Sequence, residues 1–146
     1  AVSCRLGALF AGAEAEVVEQ MDGFGRNLGV AFQIADDLLD VLGEEKTTGK
    51  SLGTDLEKQK PTLPVIRALQ LASGDDRRAM LELLSGDDQR AASLTQYFER
   101  YETIAYTQKK ATSYSHRARR TLEGLPTSAA RDALSMMAEF VVSRSM

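Results

Sequence analysis

From Arg26 to Leu42 the apolar residues recur at helical spacing and leave one narrow polar stripe. Take Asp36 as the zero of a helical wheel: Gly29, Asp40, Gln33, Arg26 and Asp37 then fall at roughly 20°, 40°, 60°, 80° and 100°. Val30, Val41, Ile34, Leu38, Ala31, Leu42, Leu39 and Phe32 cover the arc from roughly 120° to 320°. A helix of this pattern buries most of its circumference, and its carboxylates share the remaining stripe. Like charges one turn apart destabilise a helix. A divalent cation removes that conflict, and oxygen-only donors point to Mg²⁺ bound by Asp36, Asp37 and Asp40. Gly29, without a side chain on the same stripe, leaves room for a ligand. A solvated acidic face is the alternative reading of the stripe.

The segment that follows, 43–60, reads as a loop. It carries Gly43, Gly49 and Gly53, many polar residues and no apolar periodicity. Its length exceeds a typical connection, as functional lids do. Lys46, Lys50, Lys58 and Lys60 follow closely on the carboxylates. Carboxylate, metal and lysine together suit a polyphosphate, because Mg²⁺ bridges acid to phosphate oxygens and lysine adds a point charge. Thr48-Gly49-Lys50-Ser51 has the ending of a phosphate-binding P-loop, but the motif's first glycine falls at Glu44 and no strand precedes it, so that motif is rejected.

The rest of the chain is helical in pattern. Helices are expected over Val2–Gln20, Asp22–Leu42, Thr62–Ala72, Asp75–Leu84, Asp87–Phe98, Tyr101–Glu123 and Thr127–Ser143. Gly43, Gly74, Gly86 and Gly124 mark ends, and Pro61 and Pro64 suit a first turn. No window alternates as a strand does, so the fold class is all-α. The length fits one domain, 1–146, with a sizeable core.

Three blocks, taken in order and spacing, resemble a known family. They are Phe32-Gln33-Ile34-Ala35-Asp36-Asp37-Leu38-Leu39-Asp40, Thr48-Gly49-Lys50-Ser51-Leu52-Gly53-Thr54-Asp55-Leu56 and Lys60-Pro61-Thr62-Leu63-Pro64. Together they are similar to the second aspartate-rich region of trans-isoprenyl (polyprenyl) diphosphate synthases. Ser3 to Ala13 and Leu134 to Arg144 resemble that family's flanking helices. The resemblance implies an all-α isoprenoid-synthase bundle of roughly twice this length, with two facing aspartate-rich motifs. Only the second is present. Asp75-Asp76 and Asp87-Asp88 are followed by Ala79 and Ala91 where a further acid would stand, and read instead as helix starts. The chain is therefore expected to be the C-terminal half of a synthase.

The resemblance further implies a prenyltransferase that condenses isopentenyl diphosphate with an allylic diphosphate, using Mg²⁺. Asp36 and Asp37 would ligate the metal and Asp40 would orient that shell. Gln33 and Lys50 would contact the allylic diphosphate, and Lys60 would reach it as the loop closes. Asp36, Asp37 and Lys50 are the catalytic candidates. The helix from Ser3 to Ala13 looks most like medium- and long-chain polyprenyl synthases. The full-length enzyme would be a homodimer, and this half alone would be inactive. A non-catalytic subunit of a heteromeric synthase and a class I terpene cyclase are the alternatives; the intact carboxylates and the Thr62-Leu63-Pro64 block disfavour them.

Composition limits the partners. A net charge of −3 gives no reason to expect nucleic acid. Cys4 stands alone, so no disulfide framework exists and a cytoplasmic, reducing setting is expected. Ala1 to Ala13 is apolar but too short to span a bilayer and is read as a buried helix, so the protein is not an integral membrane protein. His116 lacks partners at metal-ligand spacing. Arg117, Arg119 and Arg120 beside it read as a solvated face late in a long helix, with a partner or membrane-surface patch as the alternative. Tyr97, Phe98, Tyr101, Tyr106, Met136 and Met137 are expected to pack.

Overall fold

The structure, a computed structural model, describes residues 1–42, 62–85 and 90–144, with the backbone alone at 90–92. It contains seven helices among the described residues: α1 (Val2–Phe10), α2 (Ala15–Leu42), α3 (Leu63–Leu71), α4 (Gly74–Ser85), α5 (Arg90–Arg100), α6 (Thr103–Leu122) and α7 (Ala129–Ser143). No strand occurs among those residues, and the all-α expectation holds.

The first break differs from the expected one at Met21. It falls at Gly12, whose φ of +72° is left-handed. The Gly12 N–H donates to the Leu9 carbonyl and the Ala13 N–H to the Ala8 carbonyl, both at 3.1 Å. This pair is a Schellman motif, which satisfies the last carbonyls of α1 and needs the glycine. Around Met21 nothing stops the helix, so α2 runs unbroken through Gly23, Gly25 and Gly29 to Leu42. Later boundaries fall within a few residues of the pattern. Ser128 caps α7 by accepting a bond from the Arg131 N–H at 3.2 Å.

The chain divides into two compact units, residues 1–35 with 109–146, and residues 36–108. In the first, Phe24 of α2 packs with Ala118 and Leu122 of α6 and Ala138 of α7. Cys4, Met21, Leu28, Leu125 and Leu134 close round them. Buried Ser115 donates to the Ala138 carbonyl at 2.6 Å, tying α6 to α7. Arg119 donates through Nε to Ser135 Oγ at 3.0 Å and pairs with Glu139.

In the second unit, Val65 and Ala68 of α3, Met80 of α4, and Leu94, Tyr97 and Phe98 of α5 form the core. Tyr97 and Phe98 are thus packing groups, as expected. Arg77 donates to the Leu69 carbonyl at 2.6 Å, near the end of α3. Arg67 stacks on Tyr106, 4.5 Å from the ring centre.

Expectations of burial fail on α1 and α7. No residue of α1 is buried, and Phe10 is 85 % exposed. Only Cys4 and Ala8 of α1 turn partly inward, so its apolar content overstates what it packs. Met136 and Met137 are exposed, together with Phe140. The inward stripe of α7 runs through Leu134, Ala138, Val141 and Val142, which leaves these three side chains on the outer arc.

Candidate metal and diphosphate site

The C-terminal end of α2 is set by what it buries. Leu38 is fully buried and Val41 packs against the core of the second unit. Leu38 lies about 200° from Asp36 round the helix, so burying Leu38 turns Asp36 away from the packed side. Asp36, Asp37 and Asp40 are all half-buried. All three lie within the last two turns of α2.

Electrostatics make this an unusual place for acids. The carbonyl end of a helix carries partial negative charge and favours cations. The last turn of α2 nevertheless has no basic residue. Asp40 stands in that last turn, Asp36 and Asp37 one turn before it, and like charges at this spacing repel. Each of the three also has a polar or electrostatic interaction within the protein.

No three His, Cys, Asp or Glu side chains among the described residues converge as a metal-holding group. Mg²⁺ commonly takes one or two carboxylates and completes its octahedron with water and phosphate oxygens. The donors here are oxygen only and partly open, so the residues present fit such an ion held from one side.

Gln33 is exposed on the same helix. Phe32 and Leu42 depart from expectation: they are exposed rather than buried, and the Arg144 guanidinium lies 4.5 Å over the Phe32 ring. A single aromatic at the edge of an apolar arc gives a wheel no means of telling cover by a cation from cover by a core. Gly29 is exposed, and a Cβ built there meets nothing within 4 Å. Lys46, Lys50, Lys58 and Lys60 lie outside the described residues, as do Pro61 and Asp87-Asp88.

The remaining carboxylate pair is structural. Asp76, in the first turn of α4, accepts bonds from the Tyr101 hydroxyl at 2.7 Å and from Arg100 at 2.6 Å. These hold its carboxyl below the usual range, the Tyr101 bond first and the Arg100 bond second. The same contacts raise Arg100 and Tyr101. Asp75-Asp76 is thus a helix start, as its sequence context indicated. Further along α2, Asp22 accepts a bond from Arg26 at 2.9 Å, which lowers its pKa.

Residues 1–101 match the polyprenyl synthetase family model. The chain belongs to the polyprenyl synthetase family. A short chain isoprenyl diphosphate synthase of Methanothermobacter thermautotrophicus is 39% identical over 145 residues, covering 99% of this chain and 45% of that protein. The crystal structure of a decaprenyl diphosphate synthase from Rhodobacter capsulatus superposes with a TM-score of 0.85 at 32% identity, covering 97% of this chain and 45% of the other. A polyprenyl synthase from Caulobacter crescentus, crystallised with calcium and isoprenyl diphosphate, matches with a TM-score of 0.84 at 31% identity over 97% of this chain and 44% of its own. The chain thus spans a little under half the length of these synthases. The family resemblance read from the three sequence blocks is correct, and so is the helical fold it implied.

Proposed function

We propose that this chain is the part of a prenyltransferase that holds the allylic diphosphate while isopentenyl diphosphate condenses with it. One observation carries the reading. Three half-buried carboxylates stand within the last two turns of α2, in a chain that matches synthases along nearly its whole length. A relative crystallised with a divalent cation and an isoprenyl diphosphate supports that assignment.

In this reading Asp36 and Asp37 are metal ligands and Asp40 orients them. Gln33 and Lys50 bind oxygens of the allylic diphosphate, and Lys60 closes on them. Mg²⁺, when bound, supplies positive charge that neutralises the diphosphate as it departs. The carbon–oxygen bond of the allylic diphosphate breaks with its electron pair on oxygen. The double bond of isopentenyl diphosphate then attacks the allylic carbon. The departed diphosphate takes a proton from the adduct, and a longer allylic diphosphate results. Lys50 and Lys60 stabilise charge on the leaving group where it develops. The finer reading, a medium- or long-chain product, rests on the resemblance of Ser3 to Ala13. A homodimer in the cytoplasm belongs to the same reading.

Carboxylates on one side leave a leaving diphosphate half-neutralised. The chain by itself is therefore expected to bind allylic diphosphate without turning it over. Radiolabelled isopentenyl diphosphate with an allylic primer and Mg²⁺ tests this on the purified protein. Absence of prenyl product is expected, and robust product would refute the requirement for a second acidic wall.

A further inference from the structure

Helix α6 carries Lys109, Lys110, Arg117, Arg119 and Arg120 and no acidic residue. The chain's net charge is −3 and this helix carries +5, so the remainder carries −8. The positive charge is also directional. Ala111, Ser115, Ala118 and Leu122 are the buried side of α6 in the first unit. Lys109, His116 and Arg120 are exposed and lie roughly 140–180° from Ala118 round the helix, so they point straight outward. Arg117 is exposed beside them, its guanidinium 5.1 Å from the centre of the Tyr114 ring.

Between these long side chains Thr112 and Ser113 are short, and the row bounds an open groove of about 850 Å³. Arg119 and Glu123 close its far side. Arg119 is committed to Ser135 and Glu139, and Glu123 is the one carboxylate on the groove among the described residues.

Spacing selects the ligand. Lys109 and Arg120 are separated by about 17 Å along the axis, at about 1.5 Å per residue. They cannot converge on a single phosphate. A straight outward row of cations fits an extended anionic surface instead. It lacks a stacking platform for bases, since Tyr106 lies under Arg67 and Tyr114 under Arg117. No helix among the described residues is long and apolar enough to cross a membrane, so any lipid contact through them is peripheral.

We infer that the outward row of α6, led by Lys109, Arg117 and Arg120, docks the protein on an anionic phospholipid surface. Basic side chains near such a surface gain attraction individually, and salt screens it. The choice of lipid over an acidic protein rests on the prenyltransferase reading: its product joins an apolar chain to a charged head and must leave for an apolar phase.

The test is co-sedimentation of the purified protein with vesicles, without substrate. Vesicles of phosphatidylcholine with phosphatidylserine should bind it, and phosphatidylcholine alone should not. Neutralising one cation should weaken partitioning about fivefold, so Lys109→Gln/Arg117→Gln/Arg120→Gln should weaken it on the order of a hundredfold. Arg78→Gln, an exposed position on α4, should change little. These side chains are on the surface, and unchanged circular dichroism checks that the fold is kept. Equal binding to both vesicle types, an unaltered triple variant, or retention of inorganic diphosphate with no vesicle binding would each overturn the inference. Protein that binds allylic diphosphate but ignores anionic vesicles sinks the surface alone; protein that binds vesicles through this row but never allylic diphosphate sinks the prenyltransferase reading alone.

Discussion

Replacing Gly29 with alanine should stabilise the protein. Gly29 lies in the interior of α2, exposed, with no atom within 4 Å of a Cβ placed on it. Nothing there opposes the helix preference for alanine over glycine, which is about 1 kcal/mol. With an unfolding entropy of about 2.1 cal/mol/K per residue over the 146 residues, that is a rise of about 3 °C in Tm. Two other glycines give the controls. Gly25 is in the same helix, but a Cβ there would stand 2.8 Å from Cys4 Sγ and 2.9 Å from Ala1 Cα, so Gly25→Ala must displace α1 and should not stabilise. Gly12 has a φ of +72°, and forcing a side chain into that left-handed conformation costs about 1–2 kcal/mol. Thermal unfolding followed by circular dichroism on the three variants reads the signs directly. A Tm for Gly29→Ala equal to or below that of the parent would refute the open environment of Gly29.

Ser115→Ala removes the bond from α6 to the Ala138 carbonyl and should cost about 1 kcal/mol, measured by urea unfolding. Asp76 titrates below its ordinary 3.8 when folded, because the Tyr101 hydroxyl and Arg100 favour its ionised form. Its stabilising effect is therefore complete above that value and is lost as pH falls through the lower folded pKa. Asp76→Asn should flatten acid unfolding below about pH 4, read by urea midpoints against pH. In a complete synthase, Lys50→Ala should weaken allylic diphosphate use more than Lys58→Ala, and steady-state kinetics in the reverse order would show the wrong lysine was chosen.

The carboxylate stripe of α2 was legible in sequence because its chemistry conflicts with its context. Three acids in an apolar helix have few explanations, and burying Leu38 fixed the side on which they stand. The packing of Tyr97 and Phe98 and the helix start at Asp75-Asp76 followed from periodicity and dipole logic in the same way. The break at Gly12 was missed because the Schellman bonds that require a left-handed residue are backbone bonds, which side-chain pattern does not reveal. Met136 and Met137 were misassigned because α7 is apolar on two sides, and periodicity does not say which side is covered. The outward row on α6 was seen as a cluster, but its groove depends on short Thr112 and Ser113 lying between long cations, which only three-dimensional placement shows.

The role of the α2 carboxylates is tested most directly by calorimetric titration of the purified protein with an allylic diphosphate, with and without Mg²⁺. Binding should require Mg²⁺, weaken at least tenfold, or about 1.4 kcal/mol, in Asp36→Asn, and fall further in Asp36→Asn/Asp40→Asn. Unfolding of each variant, measured alongside by circular dichroism, checks that the fold is kept. Binding that is indifferent to Mg²⁺, or unchanged in the double variant, would contradict the assignment of these carboxylates as the metal and diphosphate site.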